Sequence, residues 1–217
     1  MKAEKLAKPA VSSTSGRQEK AEIVKKRVIR AALKAFALHG FEGAKLKDIA
    51  DKANISLPLL VYHFESKEKL WETAMRQAAG LFDERVRALN EASDISPIAK
   101  LRQLVIDLVN VCAEFPEFHR IMSMESYQLS KRLIFLCKQC AQHHHASMMD
   151  IIINAQKADP GISQISAQRL CYVMVSMARI STNAAEYEYL TGIDPQTPAE
   201  VKTTISDICE LLRIPLE

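Results

Sequence analysis

The sequence predicts an all-α protein of about nine helices, and three observations carry that expectation. Glycine is scarce, at 6 of 217 residues. Apolar residues recur three and four positions apart along most of the chain, whereas the two-residue alternation of strands is hard to find. Helix-start signals, in which Ser or Thr is followed by Pro or Glu, also recur along the chain.

The elements follow in order. Ile29, Ala32, Leu33 and Phe36 keep the i, i+3, i+4, i+7 pattern of one helix, and Gly40 stands where a C-terminal glycine is expected. A short helix, a tight turn and a second short helix ending near Phe64 come next. Ser66 can cap the helix that runs on towards Asn90, and Ser96-Pro97 opens another as cap plus first-turn proline. Pro116 breaks the chain after Phe115, and Asp159-Pro160-Gly161 is a turn. A long helix is expected from about Ser166 to Gly192. Thr197-Pro198-Ala199-Glu200 is a capping box that starts the last one.

Composition narrows the function classes. With 48% hydrophobic residues the chain can bury a sizeable core. Its longest apolar stretches, such as Leu57 to Val61, are far too short to span a bilayer, so no membrane partner is expected. The opening MKAEKLAKPAVSSTSGRQEK has no apolar h-region, so it is expected to be a flexible basic arm (residues 1–18) rather than a secretory signal. The expected location is cytoplasmic, with Cys112, Cys137, Cys140, Cys171 and Cys209 as reduced thiols. Residues 1–76 hold 16 Lys and Arg against 9 Asp and Glu, whereas residues 77–217 hold 13 against 17. A basic head on a slightly acidic body suits a polyanion partner.

The informative stretch is FEGAKLKDIADKANISLPLLVYHFESKEKL, residues 41–70. Ile49, Ala50 and Ala53 give a short helix one buried side, small enough for a second helix to cross closely. Asn54 tolerates the left-handed turn conformation, Ile55 plugs the gap, and Ser56 can cap the second helix. Leu60 and Phe64 are four residues apart and face the core, leaving Leu57, Pro58, Leu59, Tyr62 and His63 towards the outside. This is a helix-turn-helix whose second helix can lie in the major groove of double-stranded DNA. It places residues 19–76 in a DNA-binding domain and residues 77–217 in a second helical domain.

Gly40-Phe41, Asp48-Ile49-Ala50, Ala53, Ile55-Ser56, His63-Phe64, Ser66-Lys67-Glu68 and Leu70 together make this segment, about a quarter of the chain, resemble the TetR (tetracycline-repressor) family. The resemblance implies a homodimeric transcription regulator on a palindromic operator. It also implies a small effector entering a cavity among the middle helices and changing the separation of the two heads. The chain departs from the family pattern at three places. Ala44-Lys45 replaces the usual Ser or Thr cap, Asn54 replaces the turn glycine, and the aromatic after Leu60 is displaced from Val61 to Tyr62. Lys45, Lys47 and Lys67 are expected on phosphates. Leu57 and Leu59 suit thymine methyls, Pro58 stands with them on the DNA-facing side, and Ser56, Tyr62 and His63 are the polar readers.

In the second domain Met122, Met124, Tyr127, Phe135 and Met148 are expected to line an apolar effector pocket, since methionine is adaptable filler. Leu170, Val173, Met177 and Ile180 on one helix, with Val201, Ile205, Ile208 and Leu212 on the next, are expected to form a dimer seam. Cys137, Cys140 and His144 share a helical stripe that offers an alternative redox or metal-sensing role. No nucleophile elbow or phosphate loop is present, so no catalytic residue, metal or cofactor is expected. The resulting expectation is a repressor released by a small, largely apolar effector. Control by a protein partner is the nearest alternative, and a small helical enzyme the more distant one.

Overall fold

The computed structural model describes residues 13–215, and all regular structure among them is helical. α1 (Ser13–Gly43), α2 (Leu46–Lys52), α3 (Leu57–Phe64) and the first half of α4 (Lys67–Glu91) build the head. α5 (Pro97–Glu114) and α6 (Pro116–Glu125) follow. α7 spans 131–158 with a π turn at Cys137–Ala141, and α8 spans 167–191 with a 3-10 turn at Arg179–Asn183. α9 (Pro198–Leu212) ends the series, making nine helices among the described residues. None of them is long and apolar enough to cross a membrane. α1 already begins at Ser13, inside the segment expected as a flexible arm; residues 1–12 of that arm lie outside the described residues.

The helix ends carry the expected local chemistry. The hydroxyls of Ser56, Ser66, Ser96 and Thr197 accept from the backbone N–H three residues on, at 3.1–3.4 Å. Ser130, which carries no proline or glutamate signal after it, does the same at the start of α7. Lys45 precedes α2 without any side-chain cap, as a lysine must. Gly40 has φ 68 and ψ 175, a region open essentially to glycine alone, and it kinks α1 ahead of its last turn.

Two apolar clusters hold the protein together, and the head does not keep one to itself. The first joins Val28, Ala32 and Phe36 of α1 to Ile49, Leu60, Leu70, Trp71 and Met75. It then continues into Phe118 and Ile121 of α6 and Leu136 and Cys140 of α7. The second packs Phe82, Val86 and Leu89 of α4 against α5, α7, α8 and α9. α4 therefore contributes its first half to one cluster and its second half to the other.

This packing corrects part of the expected dimer seam. Leu170, Ile208 and Leu212 are fully buried inside the second cluster of their own chain. An amphipathic helix buries its most apolar stripe first against its own neighbours, and the C-terminal helices do so here. Val173, Met177, Ile180, Val201 and Ile205 remain half-buried, and Met177, Val201 and Ile205 pack on the margin of that cluster.

Replacing Gly40 by Ala forces a Cβ into the glycine-only region although no atom lies within 4 Å of the added carbon. The expected cost is backbone strain of about 1–3 kcal/mol. Thermal unfolding of Gly40→Ala should show a Tm lower by roughly 2–4 °C per kcal/mol, with helicity unchanged.

Candidate nucleic-acid interface and internal cavity

The rotation of α3 is set from below. Leu60 is 1% exposed and Phe64 5%, both in the first cluster. Beneath them Ile49, Ala50 and Ala53 are buried, with small side chains where α2 and α3 meet. Asn54 takes φ 53 in the turn, and the Ile55 N–H donates to the Ala50 carbonyl at 3.0 Å. With that rotation Leu57, Pro58, Leu59 and Tyr62 lie on the open surface, Tyr62 being 80% exposed. Val61 is exposed beside them, so the apolar surface of α3 is wider than the sequence predicts. The Ser56 oxygen accepts from the Leu59 N–H, which leaves the hydroxyl proton free to donate outward. His63 is half-buried, its ring meeting the edges of Tyr62 (5.4 Å) and Phe64 (6.4 Å).

The three lysines divide. Lys45 and Lys47 are exposed at the start of α2. Lys67 is half-buried and donates from Nζ to the Glu42 carbonyl at 3.0 Å, with its ammonium 4.8 Å from the centre of the Phe41 ring. Arg132 of α7 stands 4.5 Å from the same ring and pairs with Glu125 at 2.8 Å and Glu42 at 3.4 Å. Lys67 thus ties the start of α4 to the end of α1, and Arg132 brings α7 to the same corner.

Behind the head, α4 to α8 enclose a cavity of about 170 Å³. Met122 and Met148 line it, together with Phe82, Leu108 and Phe118. The other three residues expected there do not. Met124, still inside α6, is 42% exposed, and Tyr127 is 94% exposed because α6 ends at Glu125 ahead of it. Phe135 packs instead on Trp71 (5.7 Å), with the Arg76 guanidinium 4.8 Å from its ring centre.

The wall also has a polar part that the sequence does not announce. His119, His144 and Arg179 all face the cavity. His119 is 6% exposed and neither ring nitrogen has a partner. Burial, followed by the Arg179 and His144 charges, pushes its pKa down to about 3. Burial likewise pushes His144 down to about 4, against the pull of Asp83, whose Oδ1 lies 3.8 Å from Nδ1. Burial also lowers the pKa of Arg179. The sequence did hold a signal for Arg179, a single cation between the apolar Met177-Ala178 and Ile180, but the fold is needed to read it.

The π turn separates the Cys137, Cys140 and His144 stripe. Cys140 turns into the first cluster, where burial pushes its thiol up to about 11, while Cys137 and His144 line the cavity. Among the described residues no three His, Cys, Asp or Glu side chains are grouped to hold a metal ion.

Comparison with known proteins agrees with this geometry at the head. Residues 28–74 match the family model described as bacterial regulatory proteins, tetR family. The chain is 31% identical over 120 residues to the HTH-type transcriptional regulator RutR of Escherichia coli K12, covering 55% of this chain and 56% of that protein. It is 28% identical over 114 residues to the HTH-type transcriptional repressor NicS of Pseudomonas putida KT2440, covering 52% and 53%. The chain therefore spans about half the length of the curated relatives it matches. Among solved structures, a Clostridium perfringens protein provisionally described as a fatty acid metabolism regulator has the same fold. Its TM-score is 0.71 at 19% identity, with 88% of this chain and 99% of that one covered.

The two buried imidazoles make stability depend on pH with a definite sign. Their folded pKa values, about 3 and about 4, lie below the ordinary 6.5, so the unfolded chain binds more protons between those limits. Stability is therefore full above about pH 6.5 and falls as the pH drops towards 4, by up to about 1.4 kcal/mol per pH unit for each group. Urea unfolding at pH 7 and pH 5 should show this loss, and His119→Leu should make the dependence shallower.

Proposed function

We propose that this protein, whose residues 28–74 match the model of the tetR family of bacterial regulatory proteins, is a sequence-specific DNA-binding transcription regulator, a repressor controlled by a small molecule. The observation that carries the reading is the α3 surface. A helix pinned by Leu60 and Phe64 holds Leu57, Leu59 and Tyr62 clear of the core, next to the exposed Lys45 and Lys47. Such a helix fits the major groove, with apolar side chains against thymine methyls and the Tyr62 hydroxyl and Ser56 as donors to base edges. Repression is the direction named for NicS and supports the same sense here.

The protein acts as a homodimer on a two-fold-symmetric operator. The half-buried Val173, Met177, Ile180, Val201 and Ile205 meet their symmetry mates across the C-terminal helices, with Leu211, which is 55% exposed, adding apolar area nearby. The cavity is the effector site. Ala78, Ala79 and Phe82 of α4 line it, and the same helix begins at Lys67 in the head, so filling the cavity bears on the angle at which the head is held. α6 supplies a second connection, from His119 and Met122 through Glu125 and Arg132 to Glu42 at the end of α1. A coupling of about 1–3 kcal/mol between the two sites is typical of such linkage.

Duplex binding across a salt series tests the reading. Lys47→Ala should weaken operator and random duplex alike and lower the salt slope by about one for each phosphate it no longer neutralises. Tyr62→Ala should cost roughly 1–3 kcal/mol on an operator selected from random duplexes and little on random DNA. Unchanged specificity in Tyr62→Ala, or absence of salt-dependent duplex binding in the parent protein, would contradict it.

A further inference from the structure

We infer that the ligand of the cavity is a small organic anion, a carboxylate on a compact apolar body, held by Arg179 and His119. The inference deepens the reading of the cavity as an effector site and rests on it. It also replaces the largely apolar effector expected from the sequence.

The cavity asks for two kinds of chemistry at once. Most of its wall is apolar, with Phe82, Leu108, Phe118 and Met148 among its lining. Its volume of about 170 Å³ is close to that of cavities known to hold one benzene ring. The polar groups in the wall are nevertheless left short of partners. His119 has two unpaired nitrogens at 6% exposure. Arg179 has an unpaired, buried Nε, and its Nη1 reaches only the Ser123 hydroxyl, at 3.5 Å. Among the described residues no acidic side chain pairs with Arg179, and Asp83 Oδ1 lies 3.8 Å from His144 Nδ1, which itself has no hydrogen-bond partner. Arg179 is half-buried with its Nε out of water and unpaired, and a ligand carboxylate removes part of that cost while accepting two parallel N–H bonds.

His119 completes the selection. Kept neutral by its surroundings, it offers one N–H and one lone pair. Its N–H donates to the carboxylate without bringing a second charge that would need its own counter-ion. A ligand ammonium would meet Arg179 with like charge, and a neutral hydrocarbon would leave both groups unsatisfied. The site therefore prefers anion over neutral over cation. The apolar body, a ring or a short branched chain of roughly six or seven carbons by the same volume comparison, lies among the side chains of α4, α5 and α7.

Calorimetric titration of the full-length protein with benzoate, phenylacetate and 5-methylhexanoate, each against its own amide, and with benzylamine tests this directly. At least one acid should bind about tenfold or more tightly than its amide, and benzylamine more weakly still. Arg179→Met should reduce that acid to the affinity of its amide, while Arg179→Lys should keep part of the preference. Circular dichroism confirms that each variant is folded, and the acid-against-amide comparison in the parent protein stands without any variant. Amides binding as tightly as the acids, benzylamine binding more tightly, or no acid binding at roughly millimolar concentration would each overturn the inference. The bound acid is then added to the protein–duplex complex. An acid that binds through Arg179 yet leaves duplex affinity unchanged supports the ligand class and refutes the regulatory reading instead.

Discussion

The seating of Trp71 against Phe41 and Phe135 is the contact on which the rest of the molecule depends. Trp71 is 2% exposed, with its ring centre 6.2 Å from Phe41 at the end of α1 and 5.7 Å from Phe135 of α7. One indole therefore joins the head, the start of α4 and the body. Around it two cations, Lys67 and Arg132, close on the Phe41 ring, and Arg76 closes on Phe135. Aromatic and cation–π contacts of this kind each add only about 0.5–1.5 kcal/mol beyond burial, but they fix orientation. With the first apolar cluster running from α1 into α6 and α7, the head has no core of its own to swing on freely.

That continuity gives the unpaired polar groups of the cavity their meaning. Arg179 stands at the 3-10 interruption of α8, and His119 on α6. Both elements would relax differently according to whether an anion is present to complete their contacts. A buried group left unsatisfied costs free energy that a ligand can recover, which is the differential interaction a conformational switch requires. The path back to the head is short, since α4 lines the cavity with Phe82 and enters the head at Lys67.

What was legible in the sequence was what local chemistry decides. The caps at Ser56, Ser66, Ser96 and Thr197, the glycine at Gly40, the left-handed Asn54 and the rotation of α3 about Leu60 and Phe64 all depend on neighbours within a few residues. The positive φ of Glu65 was not legible, because nothing about a glutamate announces it. Nor was the π turn at Cys137–Ala141, which rotates one side of α7 relative to the other and sends Cys140 and Cys137 to different places. The cavity lining differs from the expected residues for a related reason. Met122 and Tyr127 are five residues apart, but α6 ends between them, so one lines the cavity and the other is exposed. At the C-terminal helices periodicity reported an apolar stripe correctly. It could not say that Leu170, Ile208 and Leu212 are covered by their own chain, because a stripe buried within a protomer and one buried between protomers look alike.

Through the Trp71 junction, head and body form one cooperative unit. Trp71 is the only tryptophan of the chain, so its emission reports that junction alone, whereas far-ultraviolet circular dichroism reports the helices of head and body together. Denaturant unfolding followed by both signals at one protein concentration is the most direct measurement. One cooperative unit gives coincident transitions with the same midpoint. A fluorescence transition complete while most of the helicity survives would show that the head separates first, and would contradict it.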